Sequence, residues 1–224
     1  MKKTYLLIGG SRGIGLAVAE HLSSKHHLFA VSRSKSPYGH WIKADLEESN
    51  AASIISSEIG DAVLDGILYL GGTWEKNAFT DGFDFSKSSP QETERVLKVN
   101  LITPIHLVQS LAPSLAKSKN AKVIFIGALT GLPNLSSKEV ANTASKFGLQ
   151  GIIHSLQKSY SKTNICFTVI NPGNIATHEV LNDIESGMFK EQTTIPLEDI
   201  IKSVDFVLST SNKCQISEIN LWQR

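Results

Sequence analysis

The sequence predicts a doubly wound α/β fold: a single domain on a seven-stranded, mostly parallel sheet with helices on both faces. Three observations carry that prediction. Short runs that are apolar throughout, such as TYLLI at 4–8, alternate with longer amphipathic stretches. Parallel strands buried on both faces have this continuous pattern, and each needs a crossover, usually helical, to reach the next. A glycine cluster, Gly9, Gly13 and Gly15, falls between the first apolar run and the first amphipathic stretch. The chain has 224 residues, 41% hydrophobic and 19% charged, which suits one such domain.

The elements follow in order. Residues 4–8 are the first strand, and GIGLAVAEHLSS (13–24) is the first helix. LFAVS (28–32) is the second strand, and a short third runs around Trp41 to Lys43. The latter part of ADLEESNAASIISSEI is helical, and DGILYL (65–70) is the fourth strand. One long helix is expected over 89–118, with Ser89 as N-cap and Pro90 at the first helical position. Pro104 should kink it, and Pro113 is a second candidate kink. AKVIFIGA (121–128) is a strand, 138–160 a helix, 164–173 a strand and turn, 196–209 a helix, and SEINLW (217–222) the closing strand. Residues 71–88 and 174–195 remain irregular. Both follow strands, so both are expected at the carboxyl edge of the sheet, where ligands bind in this fold class.

Charge and composition exclude several functions. The net charge is +1 with no basic or acidic block, so nucleic acid has no electrostatic footprint to bind. Cys166 and Cys214 are far apart and without metal-type spacing; they read as two reduced thiols, and no metal is expected. In MKKTYLLIGG the apolar run from Tyr5 to Ile8 is too short for a signal segment or a membrane span. The expected setting is cytoplasmic, with a small molecule as partner and no membrane.

The glycine cluster sits in a strand–turn–helix context. A tight turn needs glycine torsions, close approach of a pyrophosphate excludes side chains, and a helix N-terminus offers free N–H groups to an anion. Ser11, Arg12 and Ile14 complete that expected cradle.

With these residues the chain resembles the short-chain dehydrogenase/reductase family, whose glycine motif reads Thr-Gly-x-x-x-Gly-Ile-Gly. Ile8 stands where the threonine would be. The resemblance implies a nicotinamide dinucleotide cofactor. Its type follows from charge. An acidic residue closing the second strand would accept hydrogen bonds from ribose and repel a 2′-phosphate. Here the strand closes with Ser32 and Arg33, and Arg12 lies in the glycine turn; two guanidinium groups suit the 2′-phosphate of NADPH.

Further motifs extend the resemblance from Lys3 to Trp222. ADL at 44–46 is similar to the family's segment that meets adenine, which implicates Asp45 and Leu46. Where the family has Asn-Asn-Ala-Gly, this chain has Tyr69, Leu70, Gly71 and Gly72; the glycines still permit close backbone approach. Asn100 in LKVNLIT matches the helix asparagine that helps hold a proton-relay water near the catalytic lysine. NPGNIAT matches the Pro-Gly-x-x-x-Thr segment around the nicotinamide carboxamide, through Pro172, Gly173, Ile175 and Thr177. The chain stops at EINLWQR without the family's frequent Val-Asp-Gly-Gly tail.

The catalytic set departs from the family pattern. There, a tyrosine protonates the carbonyl oxygen, a lysine four residues later lowers its pKa and holds the ribose, and a serine orients the substrate. Lys146 matches the lysine, but the tyrosine position is Asn142, and Gly127 and Ala128 fill the serine positions. A general acid contributes about 10²–10⁴ in rate. An oxyanion donor contributes about 10²–10³, and such losses are not additive. An amide donates a hydrogen bond but gives up no proton near neutral pH.

Three explanations follow. The preferred one sends hydride to a carbon–carbon double bond conjugated with a carbonyl, so that charge spreads over an enolate helped by Asn142 and Lys146. The expected activity is then an atypical NADPH-dependent reductase of a small enone or keto acid in secondary metabolism. In the second, another residue supplies the acid; His178 is the best placed, with Thr130, Ser136 or Ser137 as hydrogen-bond donors. In the third, the protein binds NADPH without turnover, as a scaffold or sensor. The helices at 89–118 and 138–160 resemble the pair through which family members associate, which implies a homodimer or homotetramer. The segment 73–89 offers Trp74, Phe79, Phe83 and Phe85 as apolar pocket candidates, and lysines that would meet a carboxylate.

Overall fold

A computed structural model describes residues 2–224. The strands are β1 (Thr4–Ile8), β2 (His27–Ser32), β3 (His40–Lys43), β4 (Gly66–Tyr69), β5 (Ala121–Ile126), β6 (Ile165–Pro172) and β7 (Glu218–Leu221). They form one parallel sheet in the order β3-β2-β1-β4-β5-β6-β7. The chain winds outward in one direction from β1 to β3, then crosses to β4 and winds outward in the other. The switch point lies between β1 and β4, where this architecture opens a crevice at the strands' carboxyl ends.

Side-chain alternation builds two cores from one apolar run. Leu6 and Ile8 face one side, and Tyr5 and Leu7 the other. On the first side lie α2 (Ala51–Ile59), α4 (Thr103–Ala116) and α5 (Val140–Ser159), which contribute Ile55, Leu111 and Ile153. On the second lie α1 (Gly13–Ser23) and α7 (Leu197–Ser209), which contribute Val18, Leu22, Val204 and Val207. Each buried aliphatic side chain contributes roughly 1.5–3 kcal/mol. The two layers hold the sheet rigid beneath its loop edge.

The structure differs from the sequence expectation in two places. The helix expected over 89–118 is three pieces: α3 (Pro90–Leu97), a π turn at Lys98–Ile102, and α4. Ser89 caps Glu92 N–H, as expected. Pro104 does not kink a continuous helix; it sits in the first turn of α4, directly after the π turn. Proline has no N–H for the carbonyl four residues before it, which is that of Asn100. The four-residue ladder is therefore broken there, and Thr103 N–H donates to Lys98 O, five residues back.

The second difference is α6 (His178–Glu185), inside the stretch expected to be irregular. Thr177 caps it by accepting a hydrogen bond from Val180 N–H at 3.3 Å. The threonine's role in a helix start is masked in the sequence by its place in the Pro-Gly-x-x-x-Thr motif. Among the described residues no helix is long and apolar enough to cross a membrane.

Candidate active site

The turn from β1 into α1 depends on glycine. Gly9 has φ 94° and Gly13 φ 53°, both in the left-handed region. A Cβ on Gly9 would come 2.8 Å from the N and Cα of Gly71, and one on Gly71 would come 3.2 Å from Leu46 Cδ1. Gly9, Gly71 and Leu46 thus meet at the switch point. Buried Ser36 supports the turn by donating to Gly10 O at 3.0 Å, a partner the sequence did not reveal. No side chain caps the N-terminus of α1, which leaves its first N–H groups without a side-chain acceptor.

At the end of β2, Ser32 donates to Ser34 O at 2.7 Å. Arg33 is two-thirds exposed and stands 4.0 Å from Asp45 and 3.9 Å from Glu47. Ion pairs this long and wet contribute little, so the guanidinium is not committed to them. Asp45 also accepts Glu47 N–H at 3.0 Å, closing a local turn.

Lys146 lies on α5 and points its ammonium at the sheet edge, donating to Ile126 O at 3.1 Å. Burial of that ammonium lowers its pKa from the usual 10.5 to about 8. A Cβ on Gly72 would lie 3.6 Å from Asn100 Oδ1 and 4.0 Å from Lys146 Nζ, so these three residues converge. The side chain of Asn100 is fully used. Its oxygen accepts Thr73 N–H at 3.0 Å, and its amide donates to Thr73 O at 2.8 Å and Ser145 Oγ at 2.9 Å.

Asn142 sits in the first turn of α5, 3% exposed. Its N–H and that of Ala141 both donate to Glu75 Oε1, at 3.1 and 2.7 Å. Glu75 is 2% exposed, and its other oxygen has no partner. A carboxylate at a helix N-terminus satisfies orphan donors and complements the macrodipole. The loop carrying Glu75 is itself pinned. Arg95 donates to Thr73 Oγ1 and Trp74 O, and Glu92 accepts Lys76 N–H. Buried Glu139 holds the next stretch, accepting Phe79 N–H at 2.8 Å while Phe79 adopts φ 64°. That torsion is unfavourable for a bulky residue and persists only where its surroundings impose it.

Past the end of β5, a Cβ on Gly127 would overlap Asn171 Oδ1 and come 2.9 Å from Val169 Cγ2. Asn171 is locked there by Gln150 at 2.7 Å and Asn220 at 2.8 Å. Ala128 leads into a 3₁₀ turn at Leu129–Gly131, in which the Thr130 hydroxyl is buried without a partner. Ser137 is paired with Thr143 at 3.1 Å, and Ser136 is exposed.

His178 does not join this group through any contact. It is exposed at the start of α6 and bonded to Asn182 on its own helix at 3.1 Å. In the segment after β6, Gly173 N–H donates to Leu221 O at 2.9 Å, which ties Pro172 and Gly173 to β7. Ile175 is buried and bridges to Ile195. The segments 71–88 and 174–195 meet across a cleft of about 400 Å³ between Phe79–Gly82 and Gly187–Gln192. An Asp81–Lys190 ion pair of 3.0 Å spans it. Trp74 and Phe79 stack edge to face with centroids 5.9 Å apart. Phe79 lines the cleft, while Trp74, Phe83 and Phe85 do not.

The sequence reading missed Glu75, Glu139 and Asn171. No spacing rule reports a loop glutamate that caps a helix 66 residues away. Asn171 lies in a recognised motif, but its side chain acts beside Gly127, just past the end of the neighbouring strand.

Known proteins share this fold. The chain is 28% identical over 183 residues to the 3-oxoacyl-[acyl-carrier-protein] reductase MabA of Mycobacterium tuberculosis, covering 79% of this chain and 71% of that one. Its fold is similar to that of ElxO with NADP bound, with TM-score 0.84 and 20% identity over 99% of this chain and 97% of that one. It is also similar to 4-hydroxyisoleucine dehydrogenase complexed with NADH, with TM-score 0.80 and 21% identity over 98% and 97%. One of these folds carries NADP and the other NADH, so the fold alone does not choose between them. Residues 3–186 match the short chain dehydrogenase family. With the parallel sheet, the glycine turn at its switch point and Lys146 beside Asn100, the chain belongs to that family of oxidoreductases.

Proposed function

We propose that the protein is an NADPH-linked reductase that delivers hydride to a carbon–carbon double bond conjugated with a carbonyl. One observation carries this reading. The Lys146 ammonium and Asn100 converge at the carboxyl edge, the helix that carries Lys146 has an amide in its first turn at position 142, and no hydroxyl stands at 127 or 128. This supports a site that holds a dinucleotide without a phenol or serine hydroxyl at these positions to protonate a ketone oxygen.

The site fits a dinucleotide. Side chains are excluded where Gly9 meets Gly71, and the uncapped start of α1 offers N–H donors to a pyrophosphate. Arg12 and Arg33 supply charge for a 2′-phosphate. Once bound, the nicotinamide supplies the hydride. Lys146 holds the ribose and keeps a proton at Nζ. With a pKa of about 8 it is mostly protonated at pH 7, yet far more willing to release that proton than an ordinary lysine. The Asn142 amide donates a hydrogen bond to the developing enolate oxygen. An enolate spreads its charge, demands less of an acid than an alkoxide does, and takes its α-carbon proton from water to complete the reduction. This supports double-bond reduction in a site without a phenol.

The test is oxidation of NADPH in the presence of matched pairs, a cyclic enone with its saturated ketone and an enoyl acid with its keto acid. Turnover of the unsaturated members is expected; turnover of the ketones alone overturns the reading. Carbonyl reduction remains as a second reading because the buried Thr130 hydroxyl lacks a partner and stands two residues from Ala128. A scaffold that binds NADPH without turnover is the outcome if no substrate oxidises it. The exposed apolar residues Ile102 and Ile105, at the π turn and α4, and Phe147 on α5 support self-association through these helices, as a homodimer or homotetramer. Light scattering in solution tests that assembly.

A further inference from the structure

The pyrophosphate cradle is faced by a negative charge. Glu179 is the second residue of α6, and its Oε2 is shielded from solvent with no hydrogen-bond partner. The same oxygen would lie 3.8 Å from a Cβ built on Gly13, the first residue of α1. The methyl of Thr177 stands at the same 3.8 Å, so this is the place where the start of α6 closes over the glycine turn. Leaving a carboxylate oxygen desolvated and unpartnered is unfavourable. Glu179 nevertheless makes no ion pair among the described residues.

We infer that Glu179 is an electrostatic gate on the dinucleotide site. Its carboxylate faces the uncapped start of α1, where an incoming pyrophosphate must place its own negative charge. The two cannot share the cradle, since a carboxylate has no proton to donate and like charges in a partly desolvated site repel strongly. The cofactor therefore docks with Glu179 displaced from Gly13, which moves the first turn of α6. The helix hangs from its Thr177 cap at one end, and the chain beyond its other end reaches Lys190, the partner of Asp81 across the cleft. Cofactor entry and the shape of the cleft are thereby linked through one short helix. This inference rests on the dinucleotide reading above.

Titration calorimetry of NADPH, inorganic pyrophosphate and adenosine into the wild-type protein and Glu179→Gln tests it. Removing the charge should tighten NADPH and pyrophosphate about ten- to hundredfold. Adenosine, which carries no phosphate, should bind both proteins alike. The gap should narrow as salt is raised. Glu179→Ala guards against a folding defect peculiar to the glutamine, and Glu185→Gln, exposed at the far end of α6, should leave all three affinities unchanged. Equal or weaker NADPH binding by both Glu179 variants overturns the gate and leaves the reductase reading standing. Failure of every variant to bind NADPH overturns both.

Discussion

The two halves of the sheet's carboxyl edge are built on different principles. The half at β1, β2 and β4 is shaped by what is missing: side chains absent at Gly9, Gly71 and Gly72 let backbones and ligand approach. The half at β5 and α5 is shaped by what has been added. Glu75 caps the helix that carries Asn142, and Asn171 fills the space beside Gly127. Glycine leaves its mark in a local motif, whereas the added polar groups act across 66 residues in one case and between neighbouring strands in the other. The region that looks damaged in sequence is well ordered by partners of its own.

Substitutions can break this comparison, and the largest effect should come from Lys146. Lys146→Met is expected to lower turnover by about 10²–10⁴, measured as single-turnover NADPH oxidation. It should also stabilise the fold at neutral pH. Lys146 is lowered in the folded state to about 8 from 10.5, so between these values the unfolded chain binds more protons. Wild-type stability should therefore rise with pH across that window, by no more than about 3 kcal/mol. Urea denaturation at pH 7.5 and pH 10 should show the rise in wild type and its loss in the methionine variant.

Restoring the family's hydroxyls should sharpen the distinction between the halves. Ala128→Ser combined with Asn142→Tyr is expected to raise ketone reduction by on the order of 10²-fold. Gly127→Ser should instead destabilise the protein by about 1–3 kcal/mol, because Asn171 is in the way. Ketone kinetics and thermal melts separate the two outcomes. A melt of Gly127→Ser that matches wild type would mean that Asn171 yields easily.

Glu75→Ala should cost about 1–3 kcal/mol, since it leaves two buried N–H groups without an acceptor. Glu75→Gln should cost less, because it keeps an acceptor and loses only the charge at the helix end. Denaturant midpoints will rank them. The smallest effect is expected at the other half. Arg12→Ala with Arg33→Ala should weaken NADPH by about tenfold or more while leaving NADH nearly unchanged. Equal weakening of both would show that the guanidinium groups do not read the phosphate.

The legibility of the molecule follows the same division. Strand positions were readable because each strand is buried on both faces and carries an unbroken apolar run. The glycine turn was readable because its constraint is local. The break after α3 was hidden because Pro104 marks an interruption without saying whether the chain bends or widens into a π turn; the clamp of Asn100 on Thr73 and Ser145 accompanies the widening. Helix α6 was hidden because Thr177 serves at once as a motif residue and an N-cap.

The amino-acid sequence by itself determined the alternation of strands and helices, the switch-point turn and the amide, glycine and alanine at positions 142, 127 and 128. These depend on side-chain period, glycine torsions and residue chemistry, all of which are properties of short stretches. Only the tertiary structure decided that His178 faces outward, that Glu75 and Asn171 support the altered site, and that Glu179 stands against Gly13. Those arrangements depend on which loops the sheet brings to one edge, and buried polar groups declare their partners only once that edge has formed.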